Sequence, residues 1–312
     1  MALVFEDLRR VGSVTLDQLM REEAEAWLDI LGWEYSPTQD FLKTYIDSSA
    51  LPGFVVIDRG RAVGYAYLVV DVGRGVIGSL YVMRGHWGGD LEAQLGVACI
   101  DALKETPFVR RIEAQLMVFS EADLGPVFAG DGFETFRRHF LSLDLGSYDG
   151  GREQPEGLEL RSWNDEMIDE VGRVVYESYI GGIDAYFSSS FSRLDRCHGF
   201  VANLVRRAGC GGFLPGMTTV GYLDGKMAGI VVATELSPGV GHMPQISVAP
   251  DHQGSGIGAF LVDESLRRYK EAGYRAVSLT VTEQNERAEK WYRRLGFAEV
   301  LPFNAYLWQR DS

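Results

Sequence analysis

Apolar and polar positions along this chain fall into a pattern that occurs twice. In residues 53–70, GFVVIDRGRAVGYAYLVV, two apolar runs flank a polar turn, and residues 218–233, TTVGYLDGKMAGIVVA, repeat the arrangement. Apolar runs joined by a short Asp/Gly turn predict β-hairpins. Each hairpin is followed by a further apolar strand, a glycine-bearing turn and then apolar positions at helical spacing. In the later of these helices Ile257, Leu261, Tyr269 and Ala272 fall within one face, and further on Ala288, Trp291, Tyr292 and Leu295 do so again. A short strand (158–163) and one or two aromatic-bearing helices (164–209) precede the second hairpin. A buried strand (276–283) and a final strand pair (297–309) complete it. The elements predict an α+β fold, each part a mixed, mainly antiparallel sheet flanked by helices.

The repetition has a register. His86 and His252 are 252 − 86 = 166 residues apart, and at that offset LYVMRGHWGGDLEAQL (80–95) lies on ISVAPDHQGSGIGAFL (246–261). FAGDGFE (128–134) lies on YRRLGFA (292–298) at nearly the same offset, 164. Between the copies, GSYDGGREQPEG (146–157) is polar, glycine-rich and aperiodic, and reads as a linker. The chain is read as a tandem duplication, with domains at 1–145 and 158–312.

Composition narrows the partners. With 30 Lys and Arg against 44 Asp and Glu, the net charge of −14 disfavours nucleic acid or an anionic membrane and suits a cationic small molecule. No apolar run reaches the roughly 18–20 residues of a membrane span, and the N-terminus lacks the pattern of a signal peptide. Cys99, Cys197 and Cys210 form no metal or disulfide spacing, so a metal-free protein of the reducing cytoplasm is expected.

The chemistry centres on QGSGIGA, residues 253–259. A strand that turns into a helix leaves amide donors at the helix N-terminus, where the macrodipole also favours an anion, typically phosphate. Glycines at 254, 256 and 258 let bare main chain approach such a ligand. GSGIGA also fits the dinucleotide pattern G-x-G-x-x-A with Glu283 beyond it. A hairpin precedes it, however, and only 312 − 258 = 54 residues follow, too few for the rest of a doubly wound sheet.

QGSGIG after Val248-Ala249-Pro250 resembles the Q/R-x-x-G-x-G/A signature of the GNAT superfamily of acetyl-CoA-dependent N-acetyltransferases. Asn285, Ala288, Tyr292, Gly296 and Phe297 resemble its second landmark, N-x-x-A-x-x-x-Y-x-x-x-G-F. The resemblance covers residues 158–310 and reaches the N-terminal half through the repeat. It implies two tandem GNAT-like domains, with acetyl transfer from acetyl-CoA directly to a primary amine of a small molecule or peptide. By resemblance, the amides of Gln253, Gly254, Ser255, Gly256, Ile257, Gly258 and Ala259 hold the pyrophosphate. Ile246, Ser247 and Val248 line the pantetheine arm on a strand that splays from its neighbour, and Asn285 contacts the coenzyme. Tyr292 matches the tyrosine that protonates the departing thiolate; its plain alternative is a core aromatic.

Proton removal from the amine has two candidates, His242 and Glu235, beside the possibility that ordered water does the work. Tyr179, Tyr186 and Phe187 stand in the segment where acceptor specificity is usually built, with core packing as their alternative. A mycothiol-synthase-like enzyme and a non-catalytic acyl-CoA sensor are narrower and rival readings; the protein is expected to be a monomer or homodimer.

In the first copy Trp87 stands for Gln253, Asp90 for Gly256, Glu92 for Gly258 and Phe128 for Tyr292. A carboxylate about 4 Å from a phosphate costs on the order of 4 kcal/mol at an effective dielectric near 20, so the N-terminal copy is expected to bind no coenzyme.

Overall fold

The computed structural model describes residues 3–207 and 209–310. In chain order the elements are β1 (Val4–Asp7), α1 (Asp17–Leu31), α2 (Ser36–Asp47), β2 (Gly53–Asp58), β3 (Arg61–Asp71), β4 (Arg74–Val82), α3 (Leu91–Glu105), β5 (Arg111–Leu116), α4 (Gly125–Gly130) and β6 (Glu134–Asp144). Then follow β7 (Glu159–Arg161), α5 (Ile168–Tyr179), α6 (Ile183–Phe187), α7 (Leu194–Arg206), β8 (Gly212–Phe213), β9 (Thr219–Leu223), β10 (Lys226–Ser237), β11 (Val240–Val248), α8 (Ile257–Glu271), β12 (Ala276–Thr282), α9 (Glu286–Arg294) and β13 (Ala298–Gln309). No helix among the described residues is long and apolar enough to cross a membrane.

The chain forms two compact units. One comprises residues up to 138 together with those from 302, the other residues 139–301. Within the first, β1 to β4 pair antiparallel in sequence order, β4 and β5 pair parallel, and β5 pairs antiparallel with residues 304–309 of β13. α3 buries Leu91, Leu95, Cys99, Ile100 and Leu103 on one face of this sheet. Leu19, Met20 and Ala26 of α1 and Leu42 and Ile46 of α2 join a core on the other. In the second unit β7, β9, β10 and β11 pair antiparallel, β8 adds to β10, and β11 pairs parallel with β12. Ile257, Phe260, Leu261, Leu266 and Tyr269 of α8 cover one face, while Val171, Val174 and Val175 of α5 and Val201 and Leu204 of α7 cover the other. Strands buried on both faces read as near-continuous apolar runs, which explains MAGIVVA in β10.

The repeat holds through the central elements of each copy. β4 and β11, α3 and α8, and the short helical turns 84–86 and 250–252 coincide residue for residue at the offset of 166. The hairpin turns match as well: Arg59 and Gly60, and Asp224 and Gly225, all have φ between +48° and +80°, the type I′ geometry that favours Asp, Asn and Gly.

Two features differ from the sequence reading. The expected final strand pair is one strand, β13, which runs through Pro302 without turning. The expected 1–145 and 158–312 division also differs from that of the compact units, which assign residues 139–157 to the second and residues from 302 to the first. The stretch read as a linker is fastened to α8. The Tyr148 hydroxyl and the Gly151 and Arg152 amides, the latter two at 3.1 and 3.0 Å, all donate to the buried Asp263 carboxylate. Lack of periodicity marked this segment correctly as irregular, but not as loose.

The first unit encloses a buried acid. Glu23 of α1 is 1% exposed; its Oε2 accepts from Tyr65 Oη at 2.7 Å and Gln39 Nε2 at 2.9 Å. Burial outweighs these bonds and pushes its pKa up to about 7. A carboxyl that folding makes less acidic contributes fully to stability below its unfolded pKa, near 4.5, and loses that contribution as pH rises toward 7. Glu23→Gln therefore removes one source of pH dependence. Thermal melts between pH 5 and 8 are expected to show the wild type losing stability relative to the variant, by roughly 3 kcal/mol across the window, with no further divergence above it.

Candidate functional site

The second unit contains a parting of strands. β11 and β12 pair at Val240–Ala276, Gly241–Val277 and His242–Ser278, and no further among the described residues, although β11 continues to Val248 and β12 to Thr282. The closed end is clamped from α8. Tyr269 Oη donates within 2.8 Å of the Thr234 carbonyl and 3.1 Å of the His242 carbonyl, and its ring lies so close to Gly241 that a Cβ there would meet it at 2.4 Å. Beyond the clamp, Pro244 has no amide hydrogen to give to a ladder, and β10 bulges opposite it between Val232 and Thr234.

At the open end, β11 feeds the glycine turn. Gly254 and Gly256 have φ of +83° and +91°, and a Cβ on Gly258 would stand 2.8 Å from Val248 Cγ2. Each glycine thus has its own cause: two require left-handed backbone, and the third permits close approach of α8 to β11. Gly256 is the N-cap of α8 and no side chain caps that end, so the first-turn amides at 257–259 lack intrahelical acceptors. Gln253 Nε2 donates to the Val248 carbonyl at 3.1 Å and steadies the turn. Arg287 of α9, absent from the sequence-level site, brings its Nη2 within 3.5 Å of where a Gly254 Cβ would lie. Its proximity follows from how α9 packs; only its place two residues after Asn285 hinted at it.

Polar groups gather around the parting. Gln245 Nε2 lies 2.8 Å from Ser247 Oγ and 3.3 Å from Tyr179 Oη, and Ser247 Oγ bonds Ser178 Oγ at 2.9 Å. From the other strand, Thr282 Oγ1 donates to Asp184 Oδ1 at 2.7 Å. Tyr292 is 8% exposed in α9 and packs against Trp291 and Phe297, so its apolar contacts are those of a core residue. Its hydroxyl nevertheless has no hydrogen-bond partner among the described residues. Burial, with Tyr179 and Asp184 in electrostatic reach, raises its pKa well above that of a free phenol, so it keeps its proton at neutral pH.

The remaining expected residues are placed differently. His242 is 3% exposed at the closed end, stacked on Phe140 and bonded through Nδ1 to Ser278 Oγ at 2.9 Å. Burial lowers its pKa to about 3, which makes it a weak, enclosed base built into the sheet. Glu235 pairs across from Gly241 and takes a hydrogen bond from Tyr274. Gly241 lies seven residues, roughly 23 Å along an extended strand, from Val248. Asn285 Oδ1 accepts weakly from the Ala288 amide at 3.4 Å and caps α9. Ile246 and Val248 are half-buried on the unpaired stretch of β11. Phe187 is core, Tyr186 is 45% exposed, and Tyr179 stacks on Phe191.

The first unit keeps the frame and changes the chemistry. Trp87 Nε1 donates to the Val82 carbonyl at 2.7 Å, the bond Gln253 makes to Val248 one repeat later. Asp90, in place of Gly256, has φ −92° rather than +91°, so the backbone takes another path into the helix. Glu92, in place of Gly258, is 2% exposed, and neither of its carboxylate oxygens has a hydrogen-bond partner among the described residues.

Residues 187–297 match the acetyltransferase (GNAT) family. Over 153 residues, 47% of this chain and 45% of the relative, the sequence is 28% identical to a mycothiol acetyltransferase of Propionibacterium freudenreichii subsp. shermanii. The chain spans less than half the length of the curated relatives it matches. Among solved structures, a GCN5-related N-acetyltransferase from Sphaerobacter thermophilus matches with a TM-score of 0.67 at 18% identity, over 99% of this chain and 96% of that one. A tandem GNAT protein from the clavulanic acid biosynthesis pathway matches with a TM-score of 0.58 at 18% identity, over 100% and 99% of the two chains.

The turn geometry gives a direct test. An L-residue at the left-handed Gly256 costs about 1–2 kcal/mol, so Gly256→Ala is expected to lower the melting temperature by roughly 2–4 °C. Asp90→Ala, at ordinary φ, is expected to change it by less than about 1 °C; differential scanning calorimetry of the two variants checks the contrast.

Proposed function

We propose, from the match of residues 187–297 to the acetyltransferase (GNAT) family and from the likeness of the fold to solved GNAT structures, that the chain is a tandem GNAT protein whose second unit is an N-acetyltransferase that uses acetyl-CoA and acts on a primary amine. The observation that carries the reading is the parting of β11 from β12 beside an uncapped, glycine-led helix N-terminus. The residues fit the coenzyme: amides at 254–259 and the Arg287 guanidinium suit a pyrophosphate, and the free edge of β11 from Met243 to Val248 suits an extended arm. The bound coenzyme supplies an activated acyl group on a thioester. Tyr292 is the proton donor for the sulfur: burial keeps it protonated, and its hydroxyl is uncommitted. The buried Gln245 and Ser247 and the half-buried Ser178 and Tyr179 orient the acceptor, while the flanking aromatics exclude water.

The first unit, with Asp90 and Glu92 at the corresponding turn, acts as a scaffold without a coenzyme site. A narrower reading, in which the acceptor resembles that of the mycothiol acetyltransferase, is favoured by the 28% identity over 153 residues.

Titration calorimetry is expected to find one acetyl-CoA site per chain. Tyr292→Phe is expected to lower kcat by roughly 100-fold or more while leaving acetyl-CoA affinity within about twofold. Absence of binding at millimolar acetyl-CoA would overturn the reading, and two tight sites would overturn the role given to the first unit.

A further inference from the structure

Asp184 is a 9%-exposed carboxylate that no sequence motif marked. It sits in α6 at the end of β12 that has left β11, where its Oδ1 accepts from Thr282 Oγ1 at 2.7 Å. Its Oδ2 has no hydrogen-bond partner, and neither oxygen lies within ion-pair distance of a cationic side chain, among the described residues. It is also in electrostatic reach of the Tyr292 phenol. A largely buried carboxylate without a cationic partner is costly, and at the mouth of a strand opening that cost is offset when a cation binds there.

We infer that Asp184 is the acceptor anchor: its Oδ2 receives the ammonium group of the amine, so the substrates are aliphatic amines that are cations in the ground state. This rests on the acetyl-transfer reading above. An alkylammonium must lose two protons overall. The first is lost to solvent, leaving a neutral amine that donates a hydrogen bond to Asp184 Oδ2. The nitrogen then bonds to the acetyl carbonyl carbon as the carbon–sulfur bond breaks; Tyr292 gives its proton to sulfur, and the second proton leaving nitrogen restores the phenol. The products are the acetamide, the free thiol and one released proton. Thr282 holds Asp184 Oδ1 so that Oδ2 faces the nitrogen. A net charge of −14 favours encounter with such cations.

The test pairs Asp184→Asn with Thr282→Val, using propylamine and 1,4-diaminobutane as cationic probes and aniline as the neutral one. Asp184→Asn is expected to raise KM for the cationic amines roughly 10- to 100-fold, leaving acetyl-CoA affinity by calorimetry and the melting temperature near wild type. Thr282→Val, which removes the link to β12 but keeps the carboxylate, is expected to move KM by less than about fivefold. If both variants shift KM equally, or neither does, or if wild-type protein that binds acetyl-CoA acetylates aniline in preference to, or fails to acetylate, both cationic probes, the anchor assignment is overturned. Failure of the wild type to bind acetyl-CoA overturns instead the reading on which it rests.

Discussion

The parting of two parallel strands after three paired residues is the constraint on which the second unit is organised. It is held open by local chemistry. A tyrosine hydroxyl clamps two carbonyls at the closed end, a glycine makes room for its ring, and a proline just beyond removes an amide from the ladder. Were β11 and β12 to pair to their ends, Gln245 and Ser247 would stand in an unbroken sheet. Nor would the last residues of β11 present a free edge beside the helix N-terminus. The burial of His242 belongs to the same device: its stacked, neutral ring and its bond to Ser278 weld the strands at the point from which they diverge.

Much of this was legible in residue order. The offset of 166 placed strand, turn and helix of both copies in correspondence, and the glycines announced a turn whose conformation other residues disfavour. What was not legible depends on which elements meet. His242 and Glu235 were candidates because of their nearness in sequence to the opening strand, yet register sets both at its closed end, where burial of the imidazole makes it a poor base. Arg287 and Asp184 were invisible for the converse reason: the packing of α9 and α6 brings them to the site. Pro302, which suggested a break between two strands, is accommodated in one.

The two copies show how a frame can outlast its chemistry. An indole and a carboxamide make the same bond to the same backbone position, so the tie that steadies the turn survives the change from Gln253 to Trp87. The change from Gly256 to Asp90 reverses the sign of φ at the helix entrance, and a buried acid stands where Gly258 would bring helix and strand into contact. Fold and ligand capacity are therefore separable: apolar spacing maintains the first, while a few backbone angles and charges decide the second.

Membership of the last part of β13, from Pro302, in the first unit has a practical corollary for anyone wishing to study the halves apart. A gene cut at the repeat boundary near residue 150 would deprive the first unit of residues 304–309, which pair along the whole of β5, and the second of Leu141, Leu143 and Leu145 in its core. Each fragment would present a naked strand edge and a gap in its interior, the usual recipe for aggregation. A circular permutant that keeps every strand would be the sounder way to separate the copies.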